Sequence, residues 1–257
     1  MVVQIGMELY MTGIGTIVNS LAVLVGGSLG VLFNKNLKEK YQEILLQALG
    51  ISVIFVGLTG SLSGLFYVEG SVIKTKDIML LILSLAIGSL FGELIGIEKG
   101  IENVGEKIKK KFSKGGENDT FIEGFVSATL LVCVGAMAVV GSFEDGLKGD
   151  PTMLFTKSIL DFASIMVIAS ALGKGAVFSA FPMFLYQGSL TLLAKIVAPL
   201  LTDAIVGSLS TVGSALIFAI GINMCFGKKF RVGNMLPSLL VVLIYYGGKA
   251  LFGHFFS

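Results

Sequence analysis

The run Thr12-Gly-Ile-Gly-Thr-Ile-Val-Asn-Ser-Leu-Ala-Val-Leu-Val-Gly-Gly-Ser-Leu-Gly-Val-Leu-Phe33 holds no charged side chain. About 20 apolar residues wound as an α-helix cross the hydrocarbon core of a bilayer, so this stretch reads as a membrane span. Seven further stretches pass the same test, at 45–67, 77–97, 121–142, 154–172, 176–200, 205–226 and 235–254. The chain is therefore expected to be all-α: a polytopic transmembrane helix bundle of about eight spans, forming a single integral membrane domain over 1–257. Composition agrees. Of 257 residues 54% are apolar and 14% charged, whereas soluble domains carry roughly 25% charged residues. That balance excludes a cytosolic enzyme, a nucleic-acid binder and a disordered scaffold.

Glycine is the second compositional signal. Its 34 copies are near twice the usual ~7%, as expected where helices approach closely or break to line a cavity. Gly26/Gly30 and Gly88/Gly92 are small-xxx-small packing motifs. Cys133 and Cys225 lie in apolar runs and read as buried small hydrophobes. Met1–Tyr10 has no Lys or Arg, so it lacks the positive region of a signal peptide, and the first span is expected to be retained.

Orientation follows from where the positive charges fall. Thirteen of the 19 Lys and Arg lie in the links after spans one, three, five and seven, from Lys35 to Arg231, and six lie elsewhere. This places both termini outside and the basic links in the cytoplasm of a bacterial plasma membrane. A re-entrant fifth segment would instead invert the last two spans. The stretch 98–119 reads either as a solvated basic cytoplasmic linker or as a surface helix attracted to anionic lipid headgroups.

Three segments share apolar residues around a central glycine, at Gly57, Gly135 and Gly221. Spans one to two and three to four therefore read as duplicated hairpins within 1–142. Span seven suits an inverted copy, within a second half, 154–254, that has a broken helix near 173–175. Internal repeats of this kind are common in transporters.

A charge at mid-bilayer costs about 2.5–3.5 kcal/mol on insertion scales and needs a reason. Asp161 is the first candidate, with Ser158 and Ser164 three residues away on its own helical face. It reads either as a cation or proton site turned inward or as an interfacial carboxylate paired to Lys157 or Lys148. Lys174, between two glycines, reads as the mark of broken helix ends that could hold an ion or as a tight turn. Gln187, after Pro182 and Tyr186, puts an amide inside span six. Asn19 and Asn223 read as ion ligands or as interhelical hydrogen-bonding groups. Met137, Gly135 and Asp145 complete the candidate substrate- or ion-binding residues, Asp145 as a turn residue or as the lining of an outer vestibule. The one histidine, His254, has no partners for covalent chemistry, and no metal or phosphate motif occurs. No enzyme activity, metal or cofactor is expected.

The runs Gly15–Gly30, Val134-Gly-Ala-Met-Ala-Val-Val-Gly-Ser-Phe-Glu-Asp-Gly-Leu-Lys-Gly-Asp150, Ala171–Gly175 and Tyr186-Gln-Gly188 resemble the bacterial membrane-protein family termed domain of unknown function 554, the YqgA/YdfK-like proteins. The resemblance covers nearly the whole chain and implies a multi-pass plasma-membrane protein. It supplies no substrate or catalytic residues.

The leading expectation is a secondary transporter or ion-coupled permease for a small solute or ion, sited between spans five and six and spans one, four and seven. The competing one is a non-transporting sensor or assembly partner. The lipid bilayer and further copies of the chain, forming a homo-oligomer through the small-residue faces, are the other expected partners; nucleic acid is not one.

Overall fold

The computed structural model describes residues 12–34, 38–112, 120–134, 136–197 and 202–255. Among them the fold is all-α apart from one short hairpin. Helices α1 (Ile14–Asn34) and α2 (Glu39–Leu65) lead to a two-stranded hairpin, β1 (Phe66–Glu69) and β2 (Val72–Thr75), paired with Phe66 opposite Thr75. Next come α3 (Ile78–Ile95), α4 (Ile97–Phe112), α5 (Phe121–Cys133) and α6 (Ala136–Lys148). After them, α7 (Thr152–Leu172) runs through a 3-10 turn at Gly173–Ser179 into α8 (Ala180–Val197). The remainder is α9 (Asp203–Phe226), the single-turn α10 (Val232–Met235) and α11 (Ser238–Phe255).

Five helical stretches are long and apolar enough to cross a membrane: Ile14–Phe33, Lys40–Leu65, Ile78–Ile95, Thr152–Ala194 and Asp203–Phe226. A sixth is added if α5 and α6, bent by 56° about their junction, form one span. The described residues thus carry five or six such stretches where the sequence suggests eight.

Many large apolar side chains point outward, Phe55, Leu90, Leu94, Ile159 and Leu192 among them, as suits a lipid-facing surface. Others, such as Phe125, Leu154, Ile165 and Leu216, fill the interior, and small residues line the closest helix contacts, because helices in lipid associate by close packing. α3 shows the rule in its simplest form, burying only Leu80, Ser84, Gly88 and Gly92, one residue per turn. A Cβ at Gly88 would strike the backbone of Ser238 and one at Gly92 that of Asn234, so this stripe seats α3 on α10 and α11. Gly26 and Gly30 do the same for α1 against Phe162 and Met166 of α7. Both motifs expected to pack do pack.

Helix directions follow from these approaches. Gly15 lies against Leu154 and Gly30 against Met166, so α1 and α7 are parallel. Gly50 meets Cys225 and Gly64 meets Thr211, so α2 and α9 are antiparallel. Gly57 and Gly221, two of the three glycines in the repeated pattern, both serve this α2–α9 contact, so their similar surroundings have a packing explanation. The third, Gly135, lies outside the described residues.

Two sequence expectations change, at span four and at the 66–75 link, while 173–175 and 98–119 each take one of their two readings. Span four is not straight: α5 and α6 are bent relative to each other, and the helix continues through Phe143–Lys148, read as a turn, to Gly149 (φ +65°). The break at 173–175 is a reversal. Gly173 has φ +77°, and Gly175 packs so closely on the Phe121 carbonyl that a Cβ would not fit. α8 then runs back along α1, with Val177 beside Gly27 and Thr191 beside Thr16. The basic linker 98–119 is helical up to Phe112 as α4. Finally, Glu69-Gly70 turns a hairpin where only a link was read.

Candidate functional site

Three helices bring a polar cluster together inside the bundle. α1 presents Thr16, Asn19 and Ser20 on the face that also carries Gly26 and Gly30, at helical spacing. The Asn19 amide donates to Asp161 Oδ2 of α7 at 3.0 Å and to Gln187 Oε1 of α8 at 3.2 Å, with Met183 Sδ at 3.6 Å. Lys157, one turn before Asp161 on the same helix, donates to the same Oδ2 at 2.5 Å. A turn closer to the start of α1, the Thr16 and Thr191 hydroxyls meet at 3.4 Å.

The cluster is buried. Asn19 and Gln187 are fully buried, and the Lys157 and Asp161 side chains are 7% and 10% exposed. Because α7 begins at Thr152, Asp161 sits nine residues in, about 14 Å at 1.5 Å per residue. That is deeper than the sequence implied and close to the middle of an apolar layer about 30 Å thick. Asn19 Oδ1 and Gln187 Nε2 have no hydrogen-bond partner. A buried, unsatisfied amide atom costs about 1–3 kcal/mol, so a polar cluster at this depth is left short of two partners.

A second carboxylate closes the nearer end. Asp145, at the end of α6, is fully buried and accepts from Gly13 N at 2.9 Å and Gly15 N at 3.1 Å. These are orphan donors at the start of α1, and the charge also suits the helix dipole. Asp145 is therefore a cap holding α1 to α6, rather than a turn residue.

At the far end, the Lys228 end, a polar network ties α3, α4, α9 and α10 together. Glu98, nearly buried, accepts from Gly233 N at 3.0 Å, while its own N–H donates to Asn234 Oδ1 at 2.8 Å. Lys228 pairs with Glu98 at 2.6 Å and Glu102 at 2.5 Å, and Arg231 pairs with Glu93. Burial works to lower the Lys228 pKa, but its bonds to Glu102 and Glu98 and their charges outweigh this and hold it above the ordinary value. A cavity of about 440 Å³ opens here, lined by Glu98, Glu123, Asn223 and Lys228 and floored by Leu130 and Ile220.

Of the residues singled out in the sequence, Asn19, Asp161 and Gln187 meet. Asn223 does not join them: its Oδ1 accepts from Lys229 N and Phe230 N, both at 2.9 Å, and its Nδ2 donates to Phe230 O at 2.7 Å, clamping the loop after α9. Lys174 is exposed in the 3-10 turn, where the flanking glycines serve the reversal. Ser164 is half-buried one turn past Asp161, Met137 is half-buried beside the bend, and Gly135 lies outside the described residues. Lys157 entered the sequence reading only as an alternative partner for an interfacial Asp161. Thr16 and Thr191 were not singled out, although Thr16 lies three residues from Asn19 and on its face.

A bundle with an apolar exterior, small-residue helix contacts and a polar core defines a helical membrane protein. The family described as Protein of unknown function (DUF554) matches over residues 14–247, and the chain belongs to it. It is 34% identical over 227 residues to the "Uncharacterized membrane protein YdfK" of Bacillus subtilis (strain 168), covering 88% of this chain and 93% of that protein. It is also 30% identical over 233 residues to the "Uncharacterized protein YqgA" of Escherichia coli (strain K12), covering 90% and 94%. No solved structure matches.

Proposed function

We propose that this protein is an ion-coupled secondary transporter of the bacterial plasma membrane, with eight spans, both termini outside and its coupling site at Asp161. The observation that carries the reading is the buried Asn19–Asp161–Gln187 cluster with its two unpartnered amide atoms. Intramembrane ionisable residues most often mark ion or substrate pathways.

Eight spans result if the 43-residue Thr152–Ala194 stretch is two spans folded at Gly173–Ser179, α5–α6 is one bent span and α11 is the last. Every helix direction derived above agrees with that count. Spans two and seven run in opposite directions, as an inverted repeat requires. With the lysine-rich links inside, the Lys228 end and its cavity face the cytoplasm, while Asp145 and the Thr16–Thr191 contact seal the outside.

A second reading, a membrane sensor or assembly partner forming a homo-oligomer, draws on the close packing around Asp161 and on the distance of the cavity from it. One experiment separates them. Proteoliposomes are screened for solute uptake driven by a sodium or proton gradient, and Asp161→Asn is expected to abolish coupled flux while Lys174→Ala, at the exposed turn, leaves it intact. Uptake of an identified solute unchanged by Asp161→Asn sinks the assignment.

A further inference from the structure

We infer that the Asp161 cluster binds one alkali cation, for which sodium is the probe, and that the Lys157 ammonium is a tethered competitor for the same carboxylate; this rests on the reading of Asp161 as a transport site. The chemistry of the donors comes first. Asp161, Asn19 and Gln187 offer carboxylate and amide oxygens, the hard donors that suit alkali and alkaline-earth ions rather than transition metals. The Asn19 amide is the hinge of the arrangement. Its Nδ2 now stands 3.0 Å from Asp161 Oδ2 and 3.2 Å from Gln187 Oε1, while its buried Oδ1 has no partner. A half-turn about the Cβ–Cγ bond exchanges the two atoms. Three oxygens then converge where a cation would sit and the carbonyl oxygen gains a ligand, while Nδ2 takes over the unpartnered position, a cost the bound ion has to offset.

Charge selects the valence. Asp161 and Lys157 together are neutral, with their charged atoms 2.5 Å apart. A monovalent ion taking the ammonium's place leaves that neutrality intact at the carboxylate, whereas a divalent ion adds a charge in an apolar layer. Lys157 also has somewhere to go. It lies one turn nearer the start of α7, five residues from Thr152, and lysine side chains lay their stems along apolar surface to carry the ammonium to the interface.

The test is binding of radiolabelled sodium to the purified full chain, at one fixed pH and constant ionic strength, alongside the uptake assay. Wild type should bind one sodium per chain, and Asp161→Asn none. If Lys157 holds Asp161 in about nine molecules of ten, Lys157→Met raises the apparent sodium affinity about tenfold. Asn19→Ala, which keeps the ion pair, should weaken sodium binding about tenfold and serves if Lys157→Met does not fold. Sodium affinity unchanged in whichever of these variants folds overturns the inference, as does calcium binding that displaces sodium at equal concentration. Asp161-dependent uptake without sodium binding overturns it too, leaving a proton as the coupling ion and the transporter reading intact. Absence of both sodium binding and Asp161-dependent flux removes the inference and the transporter reading together.

Discussion

Gly26→Ala adds a single methyl group at the α1–α7 contact, and its cost can be worked from distances. A Cβ at Gly26 would lie 2.5 Å from the Phe162 carbonyl oxygen and 3.0 Å from its Cδ2, against 3.4 Å for the near edge of ordinary contact. The shortfall is 3.4 − 2.5 = 0.9 Å, and the obstacle is backbone, so a rotamer change cannot remove it. Separating two helices by 0.5–1 Å forfeits about a quarter to a half of the dispersion energy along their contact, and overpacked sites cost about 1–3 kcal/mol. Alanine returns roughly 1 kcal/mol through its better helix propensity. With a carbonyl as the obstacle and Gly30 one turn away opposing any pivot, the upper end applies, a net loss of about 2 kcal/mol. Gly207 is the matched control: it is helical, has φ in the ordinary range, and nothing stands within 4 Å of a Cβ there. Gly207→Ala should be neutral or gain up to about 1 kcal/mol. Equilibrium unfolding in mixed micelles with increasing dodecyl sulfate, followed by far-UV circular dichroism, compares the two. If Gly26→Ala matches wild type within about 0.5 kcal/mol, the α1–α7 packing described above is wrong.

Three other outcomes follow from the polar groups. Asp161→Asn and Lys157→Met should each destabilise by about 3–5 kcal/mol by stranding a buried charge, and the double variant should recover most of the loss in the same unfolding assay; additive losses would mean the two groups do not interact. Asp145→Ala removes the cap on α1 and should cost about 1–2 kcal/mol. Combined with Thr16→Cys, it should also raise the reactivity of the introduced thiol toward a membrane-impermeant maleimide, and a thiol no more reactive than in Thr16→Cys alone would show that Asp145 does not hold this end shut. Asn223→Ala takes three hydrogen bonds from the loop at 228–230, so trypsin should cut after Lys228 or Lys229 several-fold faster, with uptake retained; unchanged cleavage would remove the clamp role.

The parts of the fold that were legible in the sequence are those where one residue type has one physical use. Uncharged runs of about 20 residues read as membrane-crossing helices because lipid offers the backbone no partner. Glycines four apart read as helix contacts, and Gly26/Gly30 and Gly88/Gly92 occupy such contacts. Glycines with two uses left two readings open. Gly173 and Gly175 fitted either helix ends exposed to a ligand or a tight turn, and the turn holds: one supplies a positive φ and the other a close approach within a reversal. The bend at the α5–α6 junction carried no proline and no charge to mark it. In the site, Asn19 and Gln187 stood out as amides in apolar runs; Asn19 meets Asp161, and Gln187 meets Asn19. Asn223 has the same local signature, but its partners are backbone groups six to seven residues further on, which depends on how the chain turns after α9.

The Lys157–Asp161 pair was legible as a four-residue spacing, but its meaning depends on burial. In water such a pair is worth about 0.3–0.5 kcal/mol and would simply stabilise the helix. Here both side chains are at least nine-tenths buried, and two apolar residues of similar volume would often hold α7 equally well or better. Stability alone therefore does not account for two charges near the centre of the bundle, nor for amides beside them with one atom each unpaired. A group that must bind and release a small charge has the opposite requirement: competing partners of similar strength, so that no single arrangement dominates. Lys157 and Asn19 compete for one carboxylate oxygen in that way, with Gln187 holding the other side of the Asn19 amide. Around them α1 is fixed to α7 by backbone contacts at Gly26 and Gly30 and to the 3-10 turn by one at Gly27, so exchange at Asp161 can proceed through side-chain rotation while the helices stay packed. Gly26→Ala and Lys157→Met should then separate, the first lowering stability with little change in sodium affinity, the second raising sodium affinity.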